Sequence, residues 1–154
     1  MYITNVPLIL TSLAMSMPYF VGMSLGNYWT AACWGVLTTT STLVHLTKRP
    51  FHLYGDKNVI PWLYAIDVLA LNTCAARAIV DGWQSGPFGL LLTAIVLGYS
   101  ALIFYGGRAY QLFVYDIHNP IVAIVTHMSV HIVSALGGTA LLYVQAFKNG
   151  ERNS

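Results

Sequence analysis

Residues 117–147 have the sequence IHNPIVAIVTHMSVHIVSALGGTALLYVQAF, which contains no aspartate, glutamate, lysine or arginine. A helix needs about 20 consecutive, predominantly apolar residues to cross the hydrocarbon core of a bilayer. Backbone polar groups in lipid must be satisfied within their own segment, so an uncharged run of this length is expected to be helical. Pro120 stands near the beginning of the run, where its missing N–H breaks no helical hydrogen bond. The stretch therefore predicts one long helix within a membrane.

The same scarcity of charge extends along the chain. Of 154 residues, 56% are hydrophobic and 8% are charged, and the mean hydropathy is +0.63. Soluble domains carry about 25% charged residues. Residues 1–47 contain no Asp, Glu, Lys or Arg, and the ranges 58–76 and 82–107 contain only Asp67. We therefore predict a multi-pass integral membrane protein, an all-α polytopic membrane helix bundle of about five transmembrane helices, with residues 1–154 forming a single transmembrane domain.

Turn-forming residues divide the chain into its predicted helices. These cover about residues 5–25, 28–47, 58–80, 87–106 and 120–146. Pro18 lies inside the first helix and should kink it, which membrane helices tolerate. The predicted loops include the sequences Gly26-Asn27, Asp81-Gly82, Ser85-Gly86-Pro87 and Gly106-Gly107-Arg108. Small residues such as Gly137 and Gly138 should let neighbouring helices approach closely.

The charge balance and the cysteines exclude some classes of function. The formal net charge is +2 and the basic residues are not clustered, so we expect no nucleic-acid partner. Cys33 and Cys74 both fall in apolar stretches without a CxxC motif, which is typical of buried free thiols.

Four ionisable residues fall inside predicted helices: His45, Asp67, His127 and His131. Burying such a group in hydrocarbon costs several kcal/mol, so each one is a candidate functional residue. With five spans, the second helix ends at the membrane face where the third and fifth begin. At about 1.5 Å per residue, all four residues then lie within roughly the outer 5–17 Å of the same leaflet.

The spacing of these residues suits a metal. His127 and His131 are four positions apart, on one face of a helix, as are Ser41 and His45. Three neutral imidazoles and a water form an open zinc site, and zinc lowers the pKa of such a water to about 7. The Asp67 carboxylate would orient the water and take its proton. The Ser41 hydroxyl would hold the water or donate to a developing oxyanion.

Other hypotheses account for the same residues. The histidine pair could serve helix–helix hydrogen bonding, Ser41 could donate to its own i−4 carbonyl, and Asp67 could pair with Arg77 or with a histidine. A bis-histidine haem protein would use His45 and His127 on facing helices. A histidine-based channel or transporter would need a proton path across the bilayer. A non-catalytic zinc-binding receptor or structural protein would have the same site as the hydrolase.

Three short motifs, taken together, resemble a known superfamily. They are Ser41–His45 (STLVH), residues 65–68 (AIDV) and His127–His131 (HMSVH). Their order and helical placement are similar to those of the seven-helix membrane hydrolases that include alkaline ceramidases, adiponectin/progestin receptors and GPI-lipid remodelling enzymes. The motifs cover three of the five predicted helices.

The resemblance implies a function and a role for each residue. His45, His127 and His131 would bind Zn²⁺, while Asp67 and Ser41 would position the attacking water. The expected reaction is hydrolysis of an amide or ester bond in a lipid substrate within the bilayer.

The chain also departs from the superfamily pattern. Five helices are predicted instead of seven, so about two would be missing between Asp67 and His127. Val130 replaces an aromatic residue often found before the final histidine. Residues 1–40 contain no Asp or Glu, unlike the acidic calcium-binding segment of alkaline ceramidases, which argues against ceramidase proper. The expected protein is a shortened member, in which a homodimer could complete the cavity for the acyl chain.

Overall fold

The computed structural model describes residues 6–47, 60–116 and 118–152, which form helices and turns without a strand. The helices are α1 (Val6–Ala14), α2 (Met17–Ser24), α3 (Tyr28–Thr47), α4 (Pro61–Ser85), α5 (Pro87–Ala101), α6 (Gly107–Tyr110) and α7 (Pro120–Arg152). A π-helical turn, Leu102–Gly106, joins α5 to α6, and a 3-10 turn, Phe113–Tyr115, precedes α7. The predicted all-α helical bundle is confirmed.

Four helical segments of the described chain are long and apolar enough to cross a membrane: Val6–Ser24, Pro61–Ser85, Pro87–Tyr110 and Pro120–Gly150. The remaining predicted span, residues 28–47, is α3, and the bounds of α3 match the prediction. Its 20 residues give the length of a span. Threonine, serine and histidine in its second half make it more polar than the other four.

The first predicted helix, residues 5–25, is interrupted near Pro18; residue 5 lies outside the described range. The N–H of Met15 donates to the Ser12 carbonyl at 3.1 Å, and the N–H of Ser16 donates to the Leu13 carbonyl at 2.9 Å, closing a tightened turn. Pro18 then lies in the first turn of α2, where its ring fits. The predicted kink is therefore confirmed as a break between α1 and α2.

Two predicted loops are wrong. Asp81 and Gly82 lie inside α4, which ends at Ser85 because Gly86 adopts a φ of +85° before Pro87. Gly106 and Gly107 also remain helical, and the turn comes after Tyr110. In both places a loop was inferred from glycine, which membrane helices accommodate. α4 begins at Pro61, after the extended residue Ile60; the predicted start of this helix, residue 58, lies outside the described range.

α7 is the centre of the bundle. It packs against α1, α2, α4 and α5, while α3 packs between α4 and the pair α1–α2. Gly137 lies against Val96 of α5, and Gly138 lies against the ring of Trp34 of α3. A methyl group at either glycine would overlap its neighbour, so the predicted close approach of helices at this pair is confirmed.

Candidate metal centre

The histidines reach the centre of the bundle from two helices. Along α3 the inward face carries Leu37, Ser41, Val44 and His45, at spacings of three and four residues. Along α7 the same periodicity turns both predicted histidines toward α1 and α3. Because α7 lies in the middle of the bundle, an inward residue of α3 can contact it.

The three histidines form a buried cluster, here called the histidine triad (His45, His127, His131). Their exposed fractions are 2%, 5% and 6%. The ring centroids lie 4.7 Å apart for His127 and His131, 4.9 Å for His45 and His127, and 5.4 Å for His45 and His131. One ring nitrogen from each histidine lies within 4.8 Å of the others. The triad can hold a metal ion, and the sequence had predicted these three ligands.

Asp67 lies on α4, half-buried, in the wall of the cavity that also reaches the triad. The hydroxyl of Thr40 on α3 donates to its Oδ1 at 2.8 Å. This bond fixes one carboxylate oxygen and ties α4 to α3 beside the triad. Arg77, the other residue considered as a partner for Asp67, bonds to Asp81 at 2.6 Å, further along α4.

Ser41 is 4% exposed and lies one turn from His45 on the same face of α3. Its Oγ lies 3.3 Å from the Oγ of Ser12 on α1. Both hydroxyls belong to the wall around the triad, so the serine predicted to hold a water is close to the predicted metal ligands.

Two residues beside the triad were missed by the sequence reasoning. Thr11 Oγ1 lies 3.0 Å from His131 Nδ1, and Ser12 Oγ lies 3.5 Å from the same nitrogen. The buried face of α1 carries Leu8 together with these two residues. Two adjacent hydroxyl residues in an apolar helix were the only feature of the sequence that could have indicated a site residue in α1. No spacing rule connects them to α7.

The π-helical turn contributes an aromatic wall. Phe104, within this turn, meets His127 edge to face with centroids 5.7 Å apart. π-Helical turns occur often at functional sites, because the inserted residue redirects a side chain. Here the turn places a large apolar ring against His127.

A cavity of about 420 Å³ extends from the triad into the bundle. It runs between α3, α4, α5 and α7 and reaches Ala78, Thr93 and Leu141 at its far end. Its lining on α7 extends from His127 to Leu141, which are 14 positions apart, or about 21 Å along the helix. Most of its lining beyond the triad is apolar, with Tyr64, Tyr105 and Arg108 near the histidine end.

No family model, curated protein or solved structure matches the chain. The comparisons therefore assign the chain to no family. The superfamily resemblance of its three motifs remains a hypothesis.

Proposed function

We propose that the chain is a zinc-dependent intramembrane hydrolase that cleaves an amide or ester bond in a lipid. The observation that carries the proposal is a buried triad of imidazoles at the end of a long apolar cavity. The triad is a suitable ligand set for a metal that activates water, and the cavity has the dimensions of an acyl chain. The three-motif resemblance supports the same function.

Zinc fits the ligand set. His45, His127 and His131 are imidazole ligands, which zinc binds readily, and three of them leave a fourth position for water or substrate. A bound zinc ion supplies a water of lowered pKa and polarises the carbonyl that is attacked. The burial of all three ligands keeps bulk water away from that position.

The remaining polar residues have roles in the same reaction. Asp67, held through Oδ1 by Thr40, would accept the proton of the attacking water on its carboxylate and later deliver it to the leaving group. Ser41, beside His45, would orient that water. Water adds to the acyl carbon, the bond from carbon to oxygen or nitrogen breaks, and the products are a fatty acid and an alcohol or amine.

The cavity favours a lipid substrate. Its length of about 21 Å exceeds half the thickness of the hydrocarbon core, about 15 Å. Its volume lies in the range of about 300–1,000 Å³ that is typical of ligand sites. The helices around it are apolar enough to lie in a membrane, so a lipid could reach it from the bilayer.

The alternative functions agree less well with the geometry. A bis-histidine haem would need a flat slot between His45 and His127, but His131 lies against both rings. A transporter would need polar groups along the whole path, but the cavity beyond the triad is mainly apolar. A non-catalytic zinc protein has the same site and is distinguished by activity alone.

Metal content tests the proposal. Protein purified without chelators should contain about one zinc per chain by elemental mass spectrometry, and the His127→Ala/His131→Ala variant should contain almost none. His118→Ala removes an exposed loop histidine and is the matched control, which should keep its zinc. Size-exclusion chromatography in detergent checks that each variant is folded. Fatty-acid release from lipid amides and esters then tests turnover.

Two outcomes would overturn the proposal. Wild-type protein without zinc would exclude the metal site. Protein with zinc but no turnover of any lipid amide or ester would leave the zinc-binding receptor or structural function in its place.

A further inference from the structure

Helix α1 presents two hydroxyls to the histidine triad. The buried face of α1 carries Leu8, Thr11 and Ser12. This face packs against α7, which carries His131, and against α3, which carries Ser41. The N-terminal helix, which has none of the recognised motifs, is therefore part of the wall of the metal centre.

The hydrogen bonds of Thr11 define the tautomer of His131. The Thr11 hydroxyl has one proton, which it donates to carbonyls of its own helix, those of Pro7 at 3.0 Å and Leu8 at 3.2 Å. Its oxygen is then an acceptor toward His131 Nδ1, 3.0 Å away. This arrangement favours a proton on Nδ1 of the neutral ring, which would leave the lone pair of Nε2 for a metal.

Ser12 acts in the same way on a second residue. Its hydroxyl donates to the Leu8 carbonyl at 2.8 Å, so its oxygen accepts from its other neighbours. Ser41 Oγ lies 3.3 Å away and is then placed to donate to it. The lone pairs of Ser41 are thereby left to accept a hydrogen bond from a water in the cavity.

We propose that Thr11 and Ser12 are positioning residues of the metal centre. Thr11 holds His131 with its Nε2 available for the metal, and Ser12 sets the direction of the Ser41 hydroxyl. This role rests on the proposed function, since it concerns the same metal. Groups that hydrogen-bond to the second nitrogen of a metal-binding histidine typically change metal affinity by about 10- to 100-fold.

The tautomer of His131 is the first test. Nitrogen-15 NMR of metal-free wild-type protein in detergent distinguishes a proton on Nδ1 from one on Nε2, and a His131→Gln variant identifies the signal. A proton on Nδ1 is expected. A proton on Nε2 overturns the role of Thr11, and this result does not depend on a variant or on activity.

Zinc affinity is the second test. Thr11→Val keeps the shape of the side chain and removes the acceptor, and should weaken zinc binding about 10- to 100-fold in competition with a chelator. Thr11→Ser keeps the hydroxyl and should restore the affinity to within a few-fold. Thr73→Val is the control, because Thr73 donates to the Leu69 carbonyl on the exposed face of α4, and it should leave the affinity unchanged.

The outcomes separate the two proposals. A wild-type protein that binds no zinc overturns the proposed function, and the role of Thr11 falls with it. A wild-type protein that binds zinc, together with folded Thr11→Val protein of equal affinity, overturns the role of Thr11 alone.

Discussion

Two buried polar clusters lie in this apolar bundle, and they are stabilised in different ways. One is the histidine triad. The other, here called the arginine–aspartate cluster, consists of Thr30, Arg77 and Asp81 and lies toward the opposite end of α3 and α4. Both place groups that prefer water within membrane-like helices, where an uncompensated charge costs several kcal/mol.

The arginine–aspartate cluster is compensated from within. Arg77 Nη2 donates to Asp81 Oδ1 at 2.6 Å, Thr30 Oγ1 donates to Asp81 Oδ2 at 2.7 Å, and Arg77 Nε donates to Thr30 Oγ1 at 3.0 Å. Positive and negative charge are matched, and both carboxylate oxygens accept a bond. This cluster joins α3 to α4 and needs no ligand.

The histidine triad has no such balance among its own members. It brings together three groups of one chemical type, with ring centroids 4.7–5.4 Å apart, next to a cavity. Imidazoles cannot neutralise one another, whereas a cation can bind all three. The comparison teaches that a cluster of like ligands beside a cavity indicates a site, while a matched pair indicates structure. Each prediction below changes one side of this comparison.

The largest effect is expected at Asp67. Asp67→Asn removes the proposed proton acceptor while keeping the side chain's size, and should lower kcat by about 100- to 10,000-fold. Zinc content should remain at the wild-type value, because the proposed ligands are the three imidazoles. Fatty-acid release and elemental analysis on the same preparation measure both quantities.

A loop carboxylate serves as the control for Asp67. Asp116→Asn makes the same chemical change at a residue that accepts from the backbone N–H groups of His118 and Asn119 before α7. Asparagine also forms such bonds, so turnover should change little. Equal losses of activity in the two variants would contradict a proton-transfer role for Asp67.

The second effect is on stability. Arg77→Met leaves the Asp81 carboxylate, 1% exposed, without its ion pair, and should lower the free energy of unfolding by about 3–5 kcal/mol. Adding Asp81→Asn removes the unpaired charge and should recover most of the loss, since Thr30 can still donate to the amide oxygen. Unfolding in mixed micelles with increasing SDS measures the difference.

Zinc distinguishes the two clusters in this experiment. Folded Arg77→Met protein should bind zinc like the wild type, because the arginine–aspartate cluster lies apart from the triad. A loss of zinc in folded protein, or a double variant as unstable as Arg77→Met, would show that the two clusters are not independent.

Much of the fold follows from local sequence rules. The absence of charge predicts the long helices, and Asn27, whose side chain accepts from the N–H of Thr30, marks the start of α3. The histidine triad was also predictable, because the spacing of His127 and His131 places both on one face of α7 and His45 lies at a similar depth on α3. Depth and helical phase are properties of the sequence.

The missing details depend on tertiary packing. Asp81 and Gly82 look like a turn, but the Arg77 ion pair satisfies the aspartate and Gly82 fits against Thr93 of α5, so α4 continues. Thr11 and Ser12 contact the triad only because α1 packs on α7, and no local pattern encodes that packing. The cavity also depends on packing. It forms within one chain, whereas the sequence, with two predicted helices fewer than the superfamily has, left open whether a homodimer was needed to complete it.

The smallest effect is expected where the two regions meet, at the far end of the cavity. Ala78, next to Arg77 in the sequence, lines this end, and its carbonyl accepts from Thr93 at 3.3 Å. Ala78→Phe should fill the space that the end of a long acyl chain would occupy. Overpacking of this kind costs about 1–3 kcal/mol, which corresponds to roughly a 5- to 150-fold lower kcat/KM for long-chain substrates.

Chain length separates a cavity effect from a general one. Short-chain substrates do not reach Ala78, so their kcat/KM should stay within about two-fold of the wild-type value. The free energy of unfolding to which the Arg77–Asp81 ion pair contributes should also be retained. Ala76→Phe adds the same ring to an exposed position of α4 and should change neither. If Ala78→Phe lowers turnover equally for short and long chains, the cavity does not bind the acyl group along α4, and the substrate must lie outside the bundle with only its scissile bond at the triad.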